Sequence, residues 1–324
     1  VGEATFPVPM WAWAAVVLVI AVMLAVDVLA HRDGHVIELR EALVWSGVWI
    51  AAGVLFGLVV WWWRGGDPAI AYFSGYLLEK ALSVDNVFVF ALLFGYFRVP
   101  AGYQHKVLFW GVVGALLFRL VFILVGAELL DRLAWAGAVL GGFLIWTGWR
   151  LAVRGEPDVD PERNVVVRLF RRVAPTDPRY HDDRFTVRLA GRRHATLLLV
   201  ALVAIEATDV VFAIDSVAAI LAITTNTFLV WTANAFAVLG LRSLYFLLAG
   251  LLRHFGYLRY GLAVLLAFAG LKLILAETPV GKLPLWLTFA VVVLSLSVSV
   301  GWSVLAARRR RSRATGRAGH RRGR

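Results

Sequence analysis

The sequence predicts an all-α polytopic membrane protein: about nine transmembrane helices, N-terminus outside and C-terminus in the cytosol, with two inverted three-helix repeats. Three observations carry that expectation. First, 60% of the 324 residues are hydrophobic and only 17% charged, with a mean hydropathy of +0.77. That excludes a disordered chain and argues against a soluble domain. Second, apolar runs near 20 residues recur, each about long enough to cross ~30 Å of hydrocarbon. Third, Lys and Arg crowd alternate connections, as orientation in a membrane requires.

Two N-terminal helices fill residues 1–68, with spans at 10–30 and 43–63. The first run, Val8 to Ala30, has no basic stretch before it and no small-residue cleavage site, so it reads as a retained helix rather than a signal peptide. Spans at 69–97, 106–126 and 132–152 make a first unit over 69–152. A basic cytosolic loop follows at 153–194, with Pro157, Pro161, Pro175 and Pro178 amid charge and a short amphipathic helix around Val165 to Val173. Spans at 195–224, 227–252 and 258–276 make a second unit over 195–276. Residues 277–324 hold a last span, 284–306, and an Arg-rich tail.

With this layout 26 Lys and Arg lie in cytosolic segments, three outside (Arg64, Arg132, Lys282) and four within spans (Lys80, Arg119, Arg242, Lys272). The net charge of +12 is therefore an orientation signal to which anionic lipid contact adds, and no nucleic acid partner is expected. The expected location is the inner (plasma) membrane. Cysteine is absent, which removes disulfides and thiolate chemistry from this chain. The 14 Trp, Trp61 to Trp63 among them, read as interfacial belts.

An internal repeat is visible. Asp85-Asn86-Val87-Phe88 is matched by Asp209-Val210-Val211-Phe212; Arg119 follows Asp85 by 34 residues and Arg242 follows Asp209 by 33. Gly148-Trp149-Arg150 and Gly270-Leu271-Lys272 come next in the same order. Three spans is an odd number, so the two units cross the membrane in opposite senses, and such repeats place a substrate site at the midplane where they meet. A rival register pairs Glu79 and Asp85 with Asp209 and Asp215; the first keeps the arginines aligned.

Acids at bilayer depth are expensive and persist where they are paired, protonated or lining a wet cavity. Five lie inside the third and sixth spans: Glu79 and Asp85, then Glu206, Asp209 and Asp215. On an ideal helix Glu79, Ser83 and Asn86 share one face, and Glu206, Asp209 and Ser216 a comparable one. Asp85 and Asp215 fall off these faces, so either they turn to other neighbours or the helices unwind there. Oxygen ligands without His or Cys suit hard cations such as Mn²⁺, Ca²⁺ and Mg²⁺. Five acids against Lys80, Arg119 and Arg242 leave −5 + 3 = −2, one divalent cation's worth of charge. Such carboxylates also take up protons when a metal leaves. The competing reading is a buried ion-pair lattice in which Arg119 and Arg242 clamp the acids. Asp27 reads as an interfacial cap, and Glu128, Asp131 and Glu277 as a solvated rim.

Gly75 to Phe90, with the core Glu79-Lys80-Ala81-Leu82-Ser83-Val84-Asp85-Asn86, resembles the first signature of the TerC family of integral membrane proteins. Ile205-Glu206-Ala207-Thr208-Asp209-Val210-Val211-Phe212-Ala213-Ile214-Asp215-Ser216 resembles the second, and Asn234 to Phe246 continues it. The resemblance, over about 70–276, implies a role in Mn²⁺ export, tellurium resistance or metal loading of secreted enzymes beside the secretion machinery. It implies Glu79, Asp85, Asn86, Glu206, Asp209 and Asp215 as ion ligands, supported by Ser83, Thr208, Ser216 and Asn234. Where that family usually carries a proline this chain has Ala218, and Ala233 replaces a usual serine. The expected function is thus a divalent-cation exporter with no permanent cofactor and no enzymatic activity. The alternatives are a non-transporting scaffold for stress-response proteins, acting through 153–194, and, remotely, an intramembrane aspartyl protease.

Overall fold

The computed structural model describes residues 6–30, 39–154, 164–189, 191–249, 258–276, 278, 283–299 and 301–302. The expectations for Pro157, Pro161, Glu277, Lys282 and the Arg-rich tail fall outside the described residues. The chain is helical almost throughout. Its helices are α1 (Met10–Ala30), α2 (Leu39–Arg64), α3 (Gly66–Phe97), α4 (Ala101–Arg132), α5 (Ala134–Arg154), α6 (Val165–Val173), α7 (Leu197–Leu221), α8 (Thr227–Leu239), α9 (Leu241–Ala249) and α10 (Leu258–Ala276). A further apolar helix, α11 (Leu285–Ser299), closes the described chain. Six helices among the described residues are long and apolar enough to cross a membrane, α8 and α9 counting together as Thr227–Leu247. Exposed aliphatic and aromatic side chains run down α1 and α2, including Leu18, Leu55, Leu58 and Trp62, the surface that a helix offers to hydrocarbon rather than to water.

The breaks between helices have local causes. Gly65, at φ 90°, turns α2 into α3, and Arg98 in the left-handed region (φ 53°) ends α3 two residues before Pro100. The seventh expected span is not one helix: α8 stops at Leu239, Gly240 interrupts it, and α9 resumes at Leu241. Conversely α3 and α7 run unbroken through Asp85 and Asp215, so the unwinding considered at those two residues is absent. Thr208 donates to the Ala204 carbonyl at 2.7 Å, one turn back along the same helix.

The loop before α7 holds more than the expected α6. Thr186–Leu189 (β1) and Arg192–Ala195 (β2) pair antiparallel, Thr186 opposite Ala195 and Leu189 opposite Arg192, around Gly191 at φ 78°. Arg188, Arg192 and Arg193 put charge on both short strands and hid this hairpin in the sequence. Lys106 of α4 donates to the Asp183 carboxylate at 2.7 Å, and Tyr180 donates to the Phe97 carbonyl at 2.8 Å. The loop is thereby tied to the turn between α3 and α4.

The core is shared by the two expected units. α3 packs on α7 and α8, α4 on α7 and α8, and α5 on α10. At the last crossing a Cβ on Gly141 would lie 2.5 Å from the Gly270 carbonyl oxygen, and one on Gly148 would lie 2.7 Å from that of Ala263. Only glycine lets the two backbones approach this closely.

Candidate functional site

The deepest polar cluster surrounds one guanidinium. α4 carries Arg119 into the space between α3, α7 and α8, where it meets Glu79, Ser216 and Asn234 on one side and Asp209 on the other. None of these residues, nor Asn86, exceeds 2% exposure. An isolated charge there would cost many kcal/mol, so the cluster exists only because opposite charges and hydrogen bonds compensate one another.

The contacts are unequal. Arg119 Nη1 donates to Glu79 Oε1, to Asn234 Oδ1 at 2.6 Å and toward Ser216 Oγ at 3.3 Å. That nitrogen has two protons for three acceptors, so one is always short of a donor. Asp209 receives the opposite edge of the guanidinium in a fork, from Nη2 at 3.3 Å and Nε at 3.5 Å. Both are long for charge-assisted bonds, which run at about 2.7–2.9 Å. Asn86 Nδ2 donates to Asp209 Oδ1 at 3.4 Å, and Asn234 Nδ2 to Glu79 Oε2 at 3.3 Å. The arginine therefore leans on Glu79, and Asp209 is the more loosely held carboxylate.

One turn before Asp209 on α7, the Glu206 carboxylate lies against Gly114 of α4, where a Cβ would overlap it. Among the described residues its Oε2 is buried with no hydrogen-bond partner, as is Ser83 Oγ on α3. Gly111-Val112-Val113-Gly114 reads in sequence as a helix-packing motif. That the second glycine makes room for a carboxylate required coordinates.

Other expected site residues lie elsewhere. Asp215 turns away from the cluster toward Thr147 and Arg150 of α5, as its off-face position allowed. The side chain of Asp85 lies outside the described residues. Lys80 is not bonded into the cluster: its Nζ donates to the Ala237 carbonyl at 3.0 Å. It caps the broken end of α8, where a carbonyl has lost its helical partner. Nor is Arg242, which pairs with Asp27 of α1, Nη1 to Oδ2 at 2.9 Å, and donates from Nη2 to the Asp27 carbonyl at 3.2 Å. Asp27 is accordingly a buried ion-pair partner rather than an interfacial cap. Lys272 donates to the Ile223 carbonyl at 3.3 Å beyond the end of α7. Among the described residues no group of three or more His, Cys, Asp or Glu is placed to hold a metal ion.

Apolar helices buried against one another, with fully buried charge at their centre, define a multi-pass integral membrane protein. The sequence pattern of the integral membrane protein TerC family matches residues 64–312, and the chain belongs to that family. It is 42% identical over 297 residues to an uncharacterised membrane protein of Myxococcus xanthus, covering 91% of this chain and 92% of that one. It is 40% identical over 275 residues to Alx of Escherichia coli K12, named as a proposed membrane-bound redox modulator, covering 82% and 86%. An uncharacterised membrane protein of Rickettsia felis is 35% identical over 262 residues, covering 81% and 87%. No solved structure matches the chain.

Proposed function

We propose that this chain exports a divalent cation, Mn²⁺ foremost, through the cluster between α3, α4, α7 and α8, with Arg119 standing in the cation's place in the arrangement described. The single observation that carries the reading is the convergence of Glu79, Asn86, Asp209, Ser216 and Asn234 on one buried point, with a spare Glu206 oxygen one turn away. Glu79 and Asp209 contribute −2 and Arg119 +1, so the cluster keeps −1 while the arginine is in place. Withdrawal of the guanidinium would leave two carboxylates and neutral oxygens, the donor set a hard divalent cation prefers. Carboxylates that lose both metal and arginine would hold protons instead, which makes proton exchange the natural coupling. The long contacts to Asp209 favour it as the first carboxylate released.

The reading includes nine spans, an external N-terminus and cytosolic C-terminus, and placement in the inner membrane, supported by the distribution of Lys and Arg. It also includes the inverted repeats. Exchanging one unit for the other turns the α3–α8 contact into the α4–α7 contact, and both are extensive. Redox work through thiols is not open to this chain, which has no cysteine.

The test is flux. Purified protein in liposomes should move Mn²⁺ without partners, and Glu79→Gln and Asp209→Asn should each abolish that movement at equal incorporation. In a Mn²⁺-sensitive host lacking its exporters, wild type should lower intracellular Mn²⁺ and the same variants should not. Full activity in either variant removes the proposed ligands. Absence of flux from wild-type liposomes, with rescue in cells, favours the scaffold reading.

A further inference from the structure

The short helix α6 is amphipathic in a way its place in the fold does not use up. Asn164 caps it, accepting from the Val166 and Val167 amides at 2.9 and 3.4 Å. At about 100° per residue its nine residues sort into three arcs. Val167, 1% exposed, and Phe170 face the protein, where α6 packs on α7. Arg168, Arg171 and Arg172 form a basic arc on one flank. Between these arcs lie Val165, Val166, Leu169 and Val173, exposed by 69%, 52%, 59% and 77%.

Four aliphatic side chains left open on nine residues are not what a water-facing helix carries. We propose that α6 lies in the membrane interface, its aliphatic arc among the acyl chains and its arginines on anionic lipid headgroups. Three points select a lipid surface over a protein partner. The helix is fastened to α7, itself long and apolar enough to span the membrane, so lipid is already beside it and the entropy of association is not incurred again. The aliphatic arc has no aromatic anchor of the kind that dominates protein interfaces. The basic residues border the apolar arc along one edge, the pattern of helices that lie in the plane of a membrane. Trp146 and Trp149 are exposed on the last turns of α5, with Arg150 5.5 Å over the Trp146 ring, as interfacial residues are. This inference is independent of what the cation site does.

The cysteine-free chain makes the test direct. Leu169→Cys in the full-length protein, carrying an environment-sensitive fluorophore, is reconstituted in phosphatidylcholine vesicles and in phosphatidylcholine–phosphatidylglycerol vesicles. The expected result is quenching by nitroxide lipids several-fold above quenching by aqueous iodide, increasing with phosphatidylglycerol. Arg171→Gln with Arg172→Gln should weaken the phosphatidylglycerol dependence, by about fivefold per charge removed. Arg171→Cys, labelled alike, should stay accessible to iodide, and retained circular dichroism excludes unfolding as the cause. A label at Leu169→Cys that iodide reaches freely in both vesicles overturns the proposal, as does equal immersion in both. Shielding that appears only in native membranes also overturns it, in favour of a protein partner.

Discussion

Arg119 and Arg242 hold matching places in the sequence repeat, yet they end in different company. Arg119 uses all three guanidinium nitrogens on two carboxylates, an amide and a hydroxyl from three helices. Among the described residues Arg242 bonds to one carboxylate, Asp27 of α1, and that residue's carbonyl, and its Nε is buried with no hydrogen-bond partner there. Asp27 lies in α1, outside both stretches in which the sequence pattern recurs. The difference teaches that two arginines at matching sequence positions need not do equivalent work. One is the centre of a shared cluster, whereas the other fastens α9 to α1.

The largest test of that contrast is removal of each charge. Arg119→Met should destabilise the detergent-solubilised protein by about 3–5 kcal/mol, because two buried carboxylates lose their counter-charge. Arg242→Met should cost less, toward about 3 kcal/mol, because it leaves one buried carboxylate uncompensated rather than two. Thermal unfolding monitored by circular dichroism measures both, and equal losses would erase the distinction. Gly114→Ala comes next. Its methyl group would meet the Glu206 carboxylate, so about 1–3 kcal/mol of overpacking is expected, and Glu206→Ala in the same chain should restore most of it. If the single substitution is silent, Glu206 does not rest there.

The smallest effect belongs to an exposed pair that sets the scale for the buried ones. Lys106 and Asp183 meet at 2.7 Å with side chains 30% and 54% exposed, so Lys106→Met should change stability by no more than about 1 kcal/mol. The hydrogen bond from Lys106 holds the Asp183 carboxyl below its ordinary range. Its small contribution is therefore present above the unfolded aspartate value, about 4, and is lost as pH falls through the lower folded one. Stability curves of wild type and Lys106→Met should converge in acid and separate toward neutrality.

Much of the helical architecture was legible because hydrocarbon length constrains where apolar helices can begin and end. Helices fall where apolar runs did, and α6 occupies Val165–Val173 as its sequence foretold. The helical faces also brought Glu79 with Asn86, and Asp209 with Ser216, into one cluster. Sequence could not say where long cationic side chains end. Lys80, next to Glu79 in the chain, leaves on another face to cap α8. Arg242 finds Asp27 because α1 packs against the α8–α9 region, a tertiary fact with no local signature. The break at Gly240 was hidden in the same way, since a glycine inside an apolar run is tolerated in most membrane helices.

The paired glycines where α5 crosses α10 limit how the two units can part. With backbone against backbone there is no side chain to re-pack, so pulling the helices apart opens a void and sliding them drives carbonyl into Cα. On the proposed transport reading, rocking of the α3–α5 helices on the α7–α10 helices would take this crossing as its fulcrum, with displacement growing away from it. A disulfide staple engineered at that fulcrum would then leave the proposed flux intact, while one joining α3 to α8 would stop it.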